Sequence, residues 1–373
     1  MPQKFILFVI LSLASVVIAK AQAQPIPTPT NQKTYYFELT AKEIVDLEAK
    51  VKTKPDDSEA RIKLVNYYAE RESAADKKSL QKHRLALIEN NAQSDYTLPL
   101  GLWTEDERQT PEYVQLKNAW LKRIELDKPN RRVRFNAAYF LDGEKELAEK
   151  ILVEGKALAP ADFEYSIKLV EFYEDSMSIN YGENEETRLN KRLAVLRKII
   201  AEAQTALGLL KKAEDAETVA DEIRKMLVAS AKYALETGDL ALAKKSAEEI
   251  IAQSGDSQSL ANGFGDSGIE SFQIANSVLG RIALRAGNVE KAREYLMNAI
   301  LLIDDESNIY PKLDAPFLEE MLVRNGSKNV LEYLELFLKS KHLEDSDKGV
   351  VKEMILLLNR GTLPVFSDYL SIY

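Results

Sequence analysis

The sequence predicts an all-α fold built from antiparallel helix pairs that stack on one another. From Thr40 onward, apolar residues recur at the spacing of a helix face almost throughout the chain. Alternating strand patterns joined by tight hairpins are missing: Asp142-Gly143 is a hairpin-type dipeptide, but helical patterns flank it on both sides. Similar helix pairs also recur along the chain, which indicates a repeated architecture.

Composition excludes several classes of function. The chain has 373 residues, no cysteine and a net charge of -9. Nucleic-acid binding is not expected, because it needs a net basic surface. The missing cysteine excludes a disulfide framework, a thiolate metal site, a cysteine nucleophile and a lipoprotein anchor. The two histidines, His83 and His342, adjoin lysine or arginine and are predicted to be solvated. No nucleophile or phosphate-loop motif is present, so no catalytic residue, metal or cofactor is expected.

Residues 1–23 are predicted to be a secretory signal peptide. Lys4 supplies a positive start, the run from Phe5 to Ala19 is apolar, and A-x-A sites allow cleavage after Ala21 or Ala23. The apolar run is about 15 residues long, whereas a membrane-spanning helix needs about 20. We therefore expect export to a bacterial periplasm or exterior, with no transmembrane segment after cleavage.

The mature chain is predicted to begin with a spacer and a first set of helices. Residues 24–38 are rich in proline and threonine and should form an extended spacer, because proline fixes φ and removes amide donors. Residues 39–180 are predicted to form N-terminal helical repeats, and the first helix should end by Pro55. Helix starts are predicted at Thr40 with Glu43, at Asp56 with Glu59, and at Thr110-Pro111.

Three segments repeat one residue pattern. In residues 276–304 it comprises Leu279-Gly280, Ala283, Gly287-Asn288, Ala292, Leu296 and Ala299. Residues 227–255 and 132–160 repeat it, with the second-helix alanine 13 residues after the first position each time (279 to 292, 230 to 243, 135 to 148). The chain therefore resembles the tetratricopeptide-repeat family. This resemblance implies a right-handed α-α superhelix of stacked antiparallel helix pairs.

Residues 181–314 are predicted to form central helical repeats with two irregular features. A long helix carries an a/d seam at Leu189, Leu193, Leu196, Ile200, Ala203, Leu207 and Leu210. The seam fits either a coiled-coil dimer or packing within one chain. Val195 and Ile199 widen the apolar face and favour packing within the chain, so we expect a monomer. Residues 255–268, with four of the fifteen glycines, are predicted to be a flexible inserted Gly/Ser loop.

The C-terminal part, residues 315–373, is predicted to form four short helices that cap the array. A repeat array needs a polar-faced cap, because its last helix pair has no further neighbour. An apolar stripe runs along one of these helices, at Val330, Leu331, Leu334, Phe337 and Leu338.

The resemblance also implies a binding groove. Tetratricopeptide folds commonly bind peptides in a concave groove lined by the first helix of each pair. In this register the groove positions are Asn66, Val133, Phe140, Lys225, Lys232 and Arg281. Recognition of a terminal carboxylate by a lysine-asparagine clamp is not expected, because Ile62 replaces the lysine one turn before Asn66.

The leading functional expectation is an exported, non-enzymatic scaffold that binds a protein or peptide. Repeat arrays offer an extended surface, and no residue pattern here supplies catalytic chemistry. Two alternatives come from other classes: a helical surface protein that binds glycans or nutrients, and a hydrolase with a carboxylate pair in the groove. With 59 acidic residues, chance carboxylate pairs occur in any such fold, and no spacing singles one out.

Overall fold

The structure, a computed structural model, describes most of the chain beyond the predicted leader and spacer. The described residues are 39–71, 73–94, 103–177, 184–213, 219–254, 265–301, 313–339, 343, 345–364 and 366. The predicted signal peptide 1–23 and spacer 24–38, together with His342, lie outside them.

Within the described residues the chain forms fifteen α-helices and no strand. They are α1 (Ala41–Thr53), α2 (Ser58–Ala69), α3 (Ala74–Asn91), α4 (Pro111–Leu126), α5 (Arg131–Phe140), α6 (Lys145–Leu158), α7 (Phe163–Asp175), α8 (Glu185–Leu210), α9 (Ala220–Thr237), α10 (Leu240–Ser254), α11 (Gly265–Arg285), α12 (Val289–Leu301), α13 (Ala315–Asn325), α14 (Ser327–Phe337) and α15 (Asp345–Asn359). A short 3-10 helix, Glu107–Gln109, precedes α4.

The helices form a solenoid. Most helices pack against the helix before and the helix after them in the chain. In the second half, α9 also packs on α11 and α11 on α13, while α12 packs on α14. Helix pairs that contact only their neighbours build one elongated array, because no single pair can bury its apolar face alone. The predicted all-α solenoid is confirmed.

Most predicted helix starts are found at the expected residues. Thr40 and Glu43 form a capping box, in which the Thr40 amide donates to Glu43 Oε2 at 2.8 Å and the Glu43 amide donates to Thr40 Oγ1 at 3.3 Å. Thr110 caps α4 with its hydroxyl alone, which accepts from the Tyr113 amide at 3.3 Å. The second start is one residue later than predicted, since Asp57 rather than Asp56 accepts from the Ala60 amide.

In two of the three repeated pairs, a glycine in the left-handed conformation ends the first helix. Gly238 has φ +84° and Gly287 has φ +81°. After Gly287, the Asn288 amide donates to the Ala283 carbonyl at 2.9 Å, which satisfies a carbonyl that the helix end leaves free. Gly143 is different, because its φ is not positive. A side chain there would overlap with the Arg108 guanidinium, so this glycine provides space and not backbone freedom.

Gly287→Ala should lower the free energy of unfolding by about 1 kcal/mol. No other atom lies within 4 Å of the position that the added Cβ would take, so the loss comes from the left-handed backbone alone. Gly287→Asn should lose less, because asparagine tolerates this conformation better than alanine does. Urea unfolding of both variants measures the difference, and an equal loss in the two would contradict the assignment.

The long helix α8 buries its predicted seam within the chain from Leu196 onward. It packs on α7 and α9. The buried face is wider than an a/d seam, because it includes Ile199 and Ala206. At the other end of the seam, Leu189 is 54% exposed. The apolar face of α8 is therefore used mainly for packing between neighbouring helices.

One predicted boundary is corrected. Helix α11 begins at Gly265, so Gly265 and Gly268 are helical and the predicted loop 255–268 ends earlier; residues 255–264 lie outside the described ones. Burial of Ile269, one turn further on, offsets the cost of about 1 kcal/mol for each helical glycine. Three helices lie in the described part of residues 315–373; since residues 367–373 lie outside it, the predicted fourth helix stays a prediction.

The apolar interior divides into two main clusters and one small one. The first runs from Ile62 to Leu279 and the second from Leu284 to Phe366. The change from one to the other falls inside α11, which contributes to both. The small cluster comprises Val51, Ala60 and Leu64, and it holds α1 against α2.

Candidate functional site

A cavity of about 430 Å³ lies where α9, α11 and α13 stack. These are the helices that contact each other across successive pairs. Residues of α12 and α14 complete its lining. The apolar part of its lining includes Leu235, Ile274, Val278, Leu296, Phe317 and Tyr333. The cavity therefore joins residues of the first apolar cluster to residues of the second.

Gly280 allows α11 and α13 to approach each other beside this cavity. The Phe317 ring lies against Gly280, where a Cβ would overlap with it, and Tyr295 Cβ would lie 3.2 Å away. Phe317 is 1% exposed, so its ring has little freedom to move. The Leu-Gly pair of the sequence pattern thus has a physical cause, because only glycine leaves room for the aromatic ring of the next pair.

Charged side chains surround the apolar lining. They are Lys232, Glu236, Glu270, Arg281 and Asp314. Most of them already have partners. The Arg192 Nη2 donates to Glu236 Oε2 at 2.8 Å. Asp314 accepts from the Ser277 hydroxyl and from the Phe317 amide, which caps α13.

Arg281 is held by Glu320, which also binds Arg285. The Arg281 Nη2 donates to Glu320 Oε1 at 2.6 Å, and the Arg285 Nη2 donates to the same oxygen at 2.7 Å. The Arg285 Nη1 also donates to the Leu235 carbonyl at 3.4 Å. Burial raises the pKa of Glu320, but the two arginines together lower it by more, so the pKa lies below its usual value. This network ties α9, α11 and α13 together along one side of the cavity.

Lys232 differs from the other charged residues around the cavity, the rim residues Glu236, Glu270, Arg281 and Asp314, because it has no carboxylate partner among the described residues. Its side chain is exposed, and its ammonium lies 5.2 Å from the centre of the Tyr233 ring. No carboxylate of the described residues lies within ion-pair distance of it. The nearby Glu174 instead accepts the Tyr233 hydroxyl at 2.8 Å, and burial raises the pKa of that carboxyl. Lys232 is thus a cation that the fold leaves available beside an apolar cavity.

The structure brings two of the six predicted groove residues together, Lys232 and Arg281. Lys225 lies on the same face of α9, about two turns before Lys232, and pairs with Glu222 at 2.8 Å. Asn66 is half-buried on α2, in the N-terminal part of the array.

The other two predicted groove residues, Val133 and Phe140, are buried in the first apolar cluster. The Phe140 ring stacks on Tyr113, with 5.4 Å between ring centres, and lies 6.3 Å from Trp120. Helix α5 packs against α4 on one side and α6 on the other, so both side chains face neighbouring helices. Their assignment to an open groove is corrected.

Phe317 and Tyr333 are two of the lining residues that the sequence did not point to, because both lie in the segment predicted to be a cap. Burial raises the pKa of the Tyr333 phenol, and the charge of Asp314 adds to this effect. The only sequence signal for their position was the start of α13 at Asp314, with proline in its first turn.

His83 was predicted to be solvated, and this is wrong. Its side chain is 0% exposed, and its Nε2 lies 2.8 Å from Glu48 Oε1, which also accepts the Tyr68 hydroxyl at 3.2 Å. The adjoining Lys82 is exposed because consecutive helix residues point in different directions. Burial lowers the pKa of His83 and so favours the neutral imidazole. The nearby Glu48 has the opposite effect, but it is smaller than that of burial.

No protein-family model matches the chain, and no curated protein sequence is significantly similar to it. Among the described residues, no group of three or more histidine, aspartate or glutamate side chains could hold a metal ion. None of the helices in the same part of the chain combines the length and the apolar character needed to cross a membrane.

Proposed function

We propose that this protein is an exported, non-enzymatic scaffold of tetratricopeptide-like helix pairs that binds a segment of another protein at the α9–α11–α13 cavity. The observation that supports this most is the cavity itself, which lies on successive stacked helices and contains Lys232 and Arg281, two of the residues predicted for a groove. Stacked helices offer an extended face, and a chain segment laid across it can contact several pairs at once.

The size and lining of the cavity suit amino-acid side chains. Binding sites for small groups usually have volumes of about 300–1,000 Å³ and a mostly apolar lining with a few polar groups. A cavity of about 150 Å³ in an apolar core accommodates one benzene-sized group. A cavity of about 430 Å³ therefore has room for one or two large apolar side chains of a bound segment.

Ala299→Phe should remove peptide binding without unfolding the protein. Ala299 lines the cavity and is half-buried, so a phenylalanine there would occupy the space that we assign to the partner's side chain. Peptides selected from a random library on the wild-type protein should lose at least about tenfold in affinity for the variant, because an apolar anchor contributes more than 1.4 kcal/mol.

Ala201→Phe is the matched control for this experiment. Ala201 is exposed on α8 and does not line the cavity, so the same change in side-chain size should leave binding as it is. Circular dichroism and thermal unfolding check that both variants are folded. If the selection yields no peptide that distinguishes wild type from Ala299→Phe, the proposed site is wrong.

The two alternative functions and the proposed export have their own tests. A glycan array would reveal the glycan-binding alternative, and a screen of hydrolase substrates would reveal the enzymatic one. Glu236, Glu270 and Asp314 are the acids to replace in that case, because all three line the cavity. For the localisation, residues 1–24 fused to a reporter should direct it out of the cytoplasm, and retention of the reporter would contradict export.

A further inference from the structure

The charges around the cavity determine which peptides it would favour. Two of the acids on the rim already accept hydrogen bonds within the protein, Glu236 from Arg192 and Asp314 from Ser277. Glu270 also has an interaction partner, and the positive charge of Arg281 is offset by Glu320. A ligand that approached these groups would have to replace contacts that the fold already makes.

Lys232 makes no ion pair with the described residues that an anionic ligand would have to break, and its ammonium lies 5.2 Å from the centre of the Tyr233 ring. Its ammonium is without a carboxylate partner in the described part of the chain, and it lies at the edge of the apolar lining. An anionic group that binds there gains an ion pair next to a surface that excludes water, where the attraction is stronger than between two fully exposed charges. The same position would repel a lysine or arginine of the ligand.

We propose that the cavity selects an extended peptide segment in which a large apolar side chain is adjacent to an acidic residue. The apolar side chain enters the lining formed by Ile274, Val278 and Phe317, and the neighbouring carboxylate binds the Lys232 ammonium. This inference rests on the proposed function, since it names the chemistry of the partner at the same site. It requires no free terminal carboxylate, because a side-chain carboxylate beside the anchor supplies the charge.

The test compares peptides that differ only in the charge next to the anchor. A peptide from the library selection is prepared with aspartate or lysine at the position adjacent to its apolar anchor, and both are titrated by fluorescence anisotropy. Wild type should bind the aspartate peptide about tenfold more tightly than the lysine peptide, which is about 1.4 kcal/mol. The preference should weaken in 0.5 M salt, since ions screen a partly exposed pair.

Lys232→Glu should reverse this preference, and Lys232→Met should abolish it. Lys225→Glu is the matched control, because it makes the same change in charge on the same face of the same helix but outside the cavity. It should keep the preference for aspartate. Equal effects of the Lys225 and Lys232 reversals would overturn the inference, since they would show a response to overall charge only.

The design separates this inference from the proposed function. If no peptide binds wild type, both are wrong. If peptides bind and Ala299→Phe removes the binding, but aspartate and lysine peptides bind equally, only the charge selectivity is wrong. A shift of the preference with Lys232→Glu and not with Lys225→Glu supports both.

Discussion

Replacing Gly280 with alanine is expected to lower the free energy of unfolding by about 3 kcal/mol, the upper end of the usual cost of overpacking a core. The added Cβ would overlap with the Phe317 ring, and that ring is enclosed by the second apolar cluster. Either the ring leaves its preferred rotamer or α11 and α13 move apart. Both responses also change the cavity, because Phe317 lines it.

Gly208→Ala is the matched control for Gly280→Ala. Gly208 lies inside α8, and no atom from another part of the molecule is within 4 Å of its Cβ position. Alanine is the better helix former by about 1 kcal/mol, so this variant should be more stable than wild type. Chemical unfolding followed by circular dichroism measures both. The close approach of α11 and α13 would be disproved if the two glycine replacements had the same sign.

A double mutant tests the cause of the loss. Phe317→Leu removes the atoms that a Cβ at Gly280 would overlap with. Adding Phe317→Leu to Gly280→Ala should therefore avoid part of the stability loss that the overlap causes. The loss for the double variant should be smaller than the sum of the two single losses by about 1 kcal/mol or more. Strict additivity would mean that the loss in Gly280→Ala does not come from contact with the Phe317 ring.

The stability of the N-terminal helices should decrease between pH 7.5 and pH 5.5 because of His83. The unfolded histidine has a pKa of about 6.5, and burial lowers the pKa of the folded one. As the pH falls, the unfolded state takes up the proton first. The contribution of His83 is therefore complete above about pH 6.5 and is lost as the pH falls through the folded pKa, at about 1.4 kcal/mol for each unit of the shift.

The ionisable groups that face His83 keep their protonation states between pH 7.5 and pH 5.5, so the pH dependence in this range comes from His83. Burial raises the pKa of Glu48, but His83 and Lys82 together lower it by more. The pKa of Glu48 is therefore below its usual value, and Glu48 stays ionised at pH 5.5. Arg61 of α2, also buried, opposes a second positive charge at His83. Tyr68 donates to Glu48 and stays protonated, because burial raises its pKa.

Hydrogen exchange of α1–α3 measures the effect locally, which suits an array whose parts need not unfold together. The exchange of α1 should speed up at pH 5.5 more than that of α11, after correction for the intrinsic rate. His83→Gln retains an amide that can donate to Glu48 but does not titrate, so this variant should lose the extra pH dependence. The same pH dependence in His83→Gln would show that another group is responsible.

Several features of the fold could be predicted because they depend on residues close together in the chain. The capping box at Thr40 and Glu43 and the turn at Gly287 are local: a side chain or a backbone conformation satisfies groups a few residues away. The recurrence of apolar residues at helical spacing predicted helices for the same reason. Lys232 and Arg281 could be predicted from their positions in the repeated pattern, because both lie on the first helix of a repeated pair.

Burial of individual residues depends on helices far apart in the chain, and there the predictions were less successful. Val133 and Phe140 fit the groove register, yet neighbouring helices cover α5 on two sides and bury both. His83 lies between charged residues, yet α1 brings Glu48 to it from 35 residues away. Phe317 reaches Gly280 because α13 returns to α11 after a long connection.

The sequence by itself thus determined the secondary structure, the repeating helix pairs and two of the charged residues at the candidate site, since these follow from short-range hydrogen bonding and periodicity. The tertiary structure alone decided which faces remain open. It placed the cavity at the junction of two apolar clusters and left Lys232 without a carboxylate partner in the described part of the chain. Side-chain packing between distant helices sets both features, and local sequence patterns contain no information about it.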